Sequence, residues 1–392
     1  MNSKQFKLLI GAFFVICGLG LVLLNRDRGS WQEAGKQMGG KLFADFPLNE
    51  IAALTIQSET NVLNLAKAGD VWTVPERGGY PANFDTISEL LRKTWELKTL
   101  RPIKVGASQL GSLNLIEPGK GKNSGILLTY KGKDGKSLHT LLLGKQHLRE
   151  SGQSSPFGGG GFPDGRYVLP DGKAGSVALV QEPFSSAEAQ SSSWLQRDFF
   201  KVERAKSIAV TITNSWRATR ETEAGEWQLA DAKEGEKLDS TKTGSFNYAF
   251  SSPSFEDVIV GAKPEDVGLV TPQRVVLETF EGFTYTIDAG KKTGDESYFV
   301  RVDVQGNFPA ERAKAADEKP EDKDKLDKEF KEKTEKLKEK LAKEQAFGKW
   351  IYKVSNWTLN PVLKDRSELM KKDEPKAEPS VPFTDPPPAV EK

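Results

Sequence analysis

The chain has 392 residues, with 56 Lys plus Arg against 55 Asp plus Glu, 36 glycines, 21 prolines and one cysteine. That length accommodates two domains with a core each, and the even charge balance excludes the basic footprint of a nucleic-acid-binding protein. The lone Cys17 excludes an intrachain disulfide and a thiolate metal cluster.

The first predicted element is apolar. Leu8 to Leu24 is uncharged over 17 residues, about 26 Å of helix, close to the hydrocarbon thickness of a bilayer. Asn25-Arg26-Asp27-Arg28 follows with no small-x-small cleavage site, and Val15-Ile16 stand before Cys17, where a lipoprotein signal needs small residues. Residues 1–28 therefore read as a retained single-span anchor. Lys4 and Lys7 balance Arg26 and Arg28, so orientation rests on the default for such anchors, with the bulk of the chain extracytoplasmic.

A first α+β module is expected over residues 40–182. Ile51, Leu54 and Ile56, then Val62–Leu65, then Val71–Val74 alternate with period two, and Gly69-Asp70 marks a tight turn between antiparallel strands. Asn83 caps a helix whose apolar face is Phe84, Ile87, Leu90, Leu91 and Thr94. Leu115-Ile116-Glu117-Pro118 leads into strands at Ile126–Tyr130 and Leu138–Leu143, and strands at Tyr167–Leu169 and Val177–Val180 complete the unit.

After a linker at 183–200, the pattern returns over 201–363. Ile208–Ile212 matches the first strand, Trp227-Gln228-Leu229 matches Trp72-Thr73-Val74, and Leu269–Pro272 matches Leu115–Pro118. Trp72 to Pro118 spans 46 positions and Trp227 to Pro272 spans 45. The fold class expected is thus α+β: two tandem copies of an antiparallel-sheet-plus-helix module behind one N-terminal transmembrane helix. Trp72 and Trp227 follow turns inside apolar strands, which marks them as core rings under a helix rather than ligand platforms.

A charged insert at 317–347 predicts a solvated helix after Pro320, with Glu329–Lys333, Glu332–Lys336 and Glu339–Lys343 four apart in the favourable order. Its thin stripe of Leu326, Phe330, Leu337 and Leu341 suits light docking on its own protein better than a coiled coil. The Pro-rich tail, 371–392, reads as disordered.

Several of these residues resemble a known family. The order of Trp72, then Tyr80-Pro81-Ala82-Asn83 opening a helix, then Asn114-Leu115 before Pro118, is similar to the domain-of-unknown-function family numbered forty-three forty. Trp194-Leu195-Gln196-Arg197-Asp198-Phe199-Phe200 looks like that family's link, and Lys349–Val354 like its closing strand. Members are typically anchored envelope proteins encoded beside gliding-motility-type ABC transporter components. The resemblance implies an accessory role at such a transporter and carries over no catalytic residue. Asn114 departs from it where glycine is common; both residues accept a left-handed backbone.

Chemistry is not legible. His139 and His147 lack metal-ligand spacing, no nucleophile elbow occurs, and Gly158–Gly161 continues into a turn instead of a Lys-Ser/Thr helix start. The expectation is a non-catalytic protein without cofactor or metal. It would bind protein partners, possible ABC transporter subunits among them, through sheet edges and the linker surface, with Trp194, Trp216, Leu337 and Leu341 as candidate contacts. The contrasting reading is an anchored protein that binds glycan through Trp194 or Trp216, or hydrolyses it with paired acids.

Overall fold

The computed structural model describes residues 38–149, 162–234, 236–313 and 318–371, together with Gly18. The expected anchor apart from Gly18, the Gly158–Gly161 loop and the tail beyond Lys371 lie outside the described residues. Among the described residues, no helix is long and apolar enough to cross a membrane. The fold is α+β with two antiparallel sheets and few helices, and the chain divides between Arg197 and Asp198 into two compact units.

Unit 1 begins with β1 (Ala53–Gln57), β2 (Val62–Ala68) and β3 (Val71–Val74). Their alternation puts Leu54, Ile56, Leu63, Leu65, Trp72 and Val74 on one buried face. Gly69 turns β2 into β3 at φ 65°, a backbone that glycine adopts without steric cost. After β4 (Tyr80–Pro81), the Asn83 side chain accepts the Thr86 N–H at 3.1 Å and starts α1 (Phe84–Glu96). This helix buries Ile87, Leu90, Leu91 and Thr94, the stripe expected from sequence. The Thr94 hydroxyl meets the Tyr130 hydroxyl at 2.8 Å beneath it. The remaining strands are β5 (Thr99–Pro102), β6 (Ile126–Lys131), β7 (Ser137–Arg149), β8 (Phe162–Pro170) and β9 (Ala178–Val180). The sheet order is β4-β3-β2-β1-β6-β7-β8-β9-β5. On the back face a 3-10 turn, Ala107–Leu113, brings Leu110 and Leu113 onto Leu115, Leu142, Leu169 and Val177. The turn ends on Asn114 at φ 54°, the left-handed backbone that asparagine tolerates.

Residues 183–197, expected as a linker, instead close unit 1. Phe184, Trp194 and Leu195 are buried, and the Asn83 N–H donates to Trp194 O at 2.7 Å while the Gln196 N–H donates to Pro81 O at 2.9 Å. This segment therefore covers the β4 edge. At the other edge, Gly39 and Thr99 exchange backbone bonds with Gly40 in between: Gly39 N–H to Thr99 O at 2.8 Å and Thr99 N–H to Gly40 O at 3.0 Å. The sheet edges offered by the sequence as binding surface are thus taken up by the unit's own chain.

Unit 2 contains β10 (Ala205–Thr211), β11 (Trp216–Thr219), β12 (Gln228–Leu229), α2 (Ser240–Thr243), β13 (Asp257–Ile259), β14 (Gln273–Thr279), β15 (Phe283–Lys291), β16 (Ser297–Gly306), α3 (Lys323–Gln345), β17 (Ile351–Ser355), α4 (Asn356–Leu359) and α5 (Arg366–Leu369). Its sheet order, β12-β11-β10-β14-β15-β16-β17-β13, repeats that of unit 1 strand for strand, without a counterpart of β4. The helical segment of this unit is shorter than α1. Asp239 caps four α-helical residues, and a 3-10 turn, Gly244–Tyr248, follows. Within it, Phe246 stacks on Trp216 at 5.2 Å and meets Trp227 edge-on at 5.8 Å.

The charged insert forms α3 as expected and lies on its own unit. Leu337 and Leu341 are half-buried, and a Cβ on Gly306 of β16 would stand 2.7 Å from Leu341 Cδ2. Glu344, 4% exposed, accepts the Lys201 N–H at 3.0 Å and the Tyr285 hydroxyl at 2.7 Å. The expected Glu339–Lys343 pair is replaced by Lys343–Asp198 at 2.7 Å, and Lys340 reaches Glu203 at 2.7 Å.

Candidate functional site

A cleft lies within unit 1, on the face carrying α1. It encloses about 830 Å³ between the entry segment Lys41–Pro47, the start of β7, and the β8–β9 connection. His139 stands in its wall. Its Nδ1 is 3.3 Å from both Asp171 carboxylate oxygens, and its Nε2 is 2.7 Å from Asp45 O. Phe43 and Phe46 pack on the imidazole at centroid distances of 4.7 and 5.8 Å.

Local sequence explains how these groups meet. His139 shares its strand face with buried Leu141 and Leu143, so the period of two turns it inward at the end of the sheet. Asp171 follows β8 at φ 48°, where Asp is one of the few side chains that tolerate the left-handed region. Its carboxylate accepts the Thr140 N–H at 3.0 Å while Thr140 O accepts the Asp171 N–H at 2.9 Å. Asp171 is fixed by the strand it flanks, and it fixes His139 in turn. Lys41 and Lys173 also line the cleft, with the Lys41 ammonium 4.3 Å above the Trp95 ring.

Both imidazole nitrogens of His139 face acceptors, one a carbonyl and one a carboxylate, so neither is left facing a substrate proton. His147 has its Nδ1 2.7 Å from Asp164. Among the described residues, no group of three or more His, Cys, Asp or Glu is placed to hold a metal ion.

The sequence-predicted residues lie elsewhere. Trp72 and Pro118 are buried in unit 1, Trp227 is buried in unit 2, and Pro272 is half-buried. Trp194, fully buried, donates its indole N–H to Glu188 O at 2.9 Å. Trp216, 3% exposed, donates to Lys364 O at 2.8 Å. Neither indole presents a face to a partner or a sugar; both are core residues because each apolar ring is covered and each polar tip is satisfied. Leu341 is turned onto Gly306 of β16 and Leu337 is half-buried, so the two do not form a fully exposed stripe. Sequence reasoning missed the cleft. Its one visible signal was Asp171-Gly172 directly after a strand, a pair marking a sharp turn that brings a carboxylate back beside His139.

The model of the family described as Domain of unknown function (DUF4340) matches residues 72–272, half of the chain. The chain belongs to that family. No curated protein and no solved structure matches it. The DUF4340 match begins at Trp72 in β3 and ends at Pro272 just before β14. It therefore includes His139 and Asp171 but not the entry segment that forms the other wall of the cleft.

Proposed function

We propose that this DUF4340 protein is a non-catalytic, membrane-anchored envelope protein that holds protein partners, as an accessory or scaffold subunit of an ABC transporter-type complex. Its two units are tandem copies of one module. The observation that carries the reading is the repeated architecture: eight strands in the same sheet order in each unit, each with a helical segment capped by Asn83 or Asp239. A module used twice, with its tryptophans in the core and His139 occupied, is organised for contact rather than turnover. The uncharged Leu8–Leu24 segment supports the anchor, and the family resemblance supports the transporter setting.

Affinity capture of the full chain from detergent-solubilised membranes tests this. Recovery of ABC transporter subunits in stoichiometric amount is the expected result. Their absence, or recovery of the full-length chain in the soluble fraction after alkaline washing, would overturn it.

A further inference from the structure

The two units differ where the cleft lies. His139 stands five residues before Gly144 in β7, and Tyr285 five residues before Gly290 in β15. Gly144 and Gly290 are themselves matched, each passing close under the last carbonyl of a 3-10 turn, Leu113 O and Val267 O. His139 and Tyr285 make the same kind of contacts. Each meets a backbone carbonyl of its unit's entry segment, Asp45 O at 2.7 Å and Lys201 O at 3.0 Å. Each also meets a carboxylate, Asp171 for the imidazole and Glu344 for the phenol.

The floor tells the units apart. Ala178 pairs with Val168 as Tyr352 pairs with Val300, and Pro102 pairs with Ala178 as Val258 pairs with Tyr352. Three residues before Pro102 and Val258 come Thr99 and Phe255. Small residues in unit 1 thus take the places of aromatic ones in unit 2. There Phe199, Phe255, Phe347 and Tyr352 fill the space, with ring centroids 4.6–6.4 Å apart. Phe347 and Glu344 arrive together on the end of α3, which is inserted between β16 and β17. The corresponding connection of unit 1, residues 171–177, is short and leaves the cleft of about 830 Å³.

We propose that this cleft is a docking groove for an amphipathic helix of a protein partner. The helix would carry a carboxylate toward Lys41 and Lys173 and an aromatic ring three residues later toward Ala178 and Thr99. Unit 2 supplies the occupant's pattern, Glu344-x-x-Phe347; Lys41 and Lys173 share the lining with Asp45 and Asp171, so the pattern of one carboxylate and one ring on a helix face, and not net charge, selects the occupant. The inference rests on the reading of the chain as a protein-binding subunit and names the partner's chemistry.

The probe is a fluorescein-labelled peptide of residues 323–349, titrated with the full chain in detergent and read by anisotropy. Saturable binding is expected, weakened about tenfold by Glu344→Gln in the peptide and by at least that factor by Lys173→Glu or Ala178→Phe in the protein. Lys173 is on the surface, so that variant reports on the groove even where Ala178→Phe disturbs folding. No binding at about 1 mM protein, or binding indifferent to both protein variants, would overturn the proposal. Self-association of the full chain in sedimentation, abolished by Lys173→Glu, would overturn it too, by assigning the groove to a second copy's α3. Transporter subunits recovered in the capture experiment alongside a failed titration would sink this inference and leave the proposed function standing.

Discussion

Replacing Gly144 or Gly290 with alanine should damage the two units equally. Each glycine lies in a central strand beneath the end of a 3-10 turn. A Cβ on Gly144 would collide with Leu113 O and stand 2.8 Å from Leu115 Cδ2; one on Gly290 would collide with Val267 O and stand 2.7 Å from the Gly268 carbonyl carbon. Non-bonded carbons prefer about 3.5–4.0 Å, so roughly an ångström of movement is demanded, and much of it from backbone. Overpacking costs about 1–3 kcal/mol, and a backbone obstacle puts both substitutions at the upper end, about 2–3 kcal/mol. For units of this size that is a fall in Tm of about 5–10 °C. Gly111→Ala is the control, because its Cβ would meet only Ile116 Cγ1, at 3.8 Å, and it should stay within about 0.5 kcal/mol. Scanning calorimetry of the full chain measures all three. A shift below about 1 °C for either strand glycine would refute the close approach. A large shift in one unit only would refute the equivalence between them.

Burial raises the Glu344 carboxyl above its ordinary value of 4.5, against the opposing pull of its bonds from Tyr285 and Lys201. A raised acid favours the folded state most below its ordinary value and loses that contribution as pH rises through the raised one. Wild type should therefore lose stability relative to Glu344→Gln as pH climbs from about 4 to 7, and a constant difference in urea midpoints across that range would refute it. Trp216→Ala removes a stacked core ring and should cost unit 2 about 3–5 kcal/mol in urea unfolding. A stable variant that has instead lost retention on glycan resin would reinstate a sugar-binding role. Arg166 is 9% exposed and gives its guanidinium to Gly144 O at 2.8 Å, Pro183 O at 3.1 Å and Phe184 O at 3.3 Å. Arg166→Ala should cost about 2–4 kcal/mol, with Arg166→Lys recovering less than half because an ammonium lacks the planar fork; full rescue by lysine would show that charge alone matters.

The strands and α1 were legible because each rests on a local rule. Alternation fixed the inward faces of β1 to β3, Asn83 fixed the helix start, and one stripe from Ile87 to Thr94 fixed its buried side. The shortened helix of unit 2 was visible only as a weak stripe, since Phe246 replaces a row of aliphatic residues and spacing carries no sign of a single large ring. Trp194 and Trp216 misled for a related reason. An indole near a linker or a strand end reads as exposed until the carbonyl that takes its N–H is known, and Glu188 O and Lys364 O are set by tertiary contact. The cleft was invisible in principle: it is bounded by residues 41–47, 138–139 and 170–178, and it exists because Ala178 and Thr99 are small. A missing volume leaves no periodicity.

The ends of the units show how far the module extends. In unit 1 the N–H of Asn83, the residue capping α1, donates to Trp194 O, and the Gln196 N–H returns to Pro81 O at 2.9 Å. In unit 2 the N–H of Asp239, the residue capping α2, donates to Leu369 O at 2.9 Å, and the Lys371 N–H returns to Lys237 O at 2.9 Å. Each closing segment follows a single helical turn, Ser191–Trp194 or Arg366–Leu369, whose last residue is fully buried. An N-cap residue uses its side chain for the first turn and leaves its own N–H unused by the helix. The strap satisfies that donor while its apolar residue plugs the core beside the helix. The module therefore runs past both limits read from sequence, to Gln196 instead of residue 182 and to Lys371 instead of residue 363. Within those limits α3 is an addition to one copy, placed between two strands that the other copy joins directly. It lands on the open end of the sheet face, so the same fold presents a filled groove in unit 2 and a vacant one in unit 1.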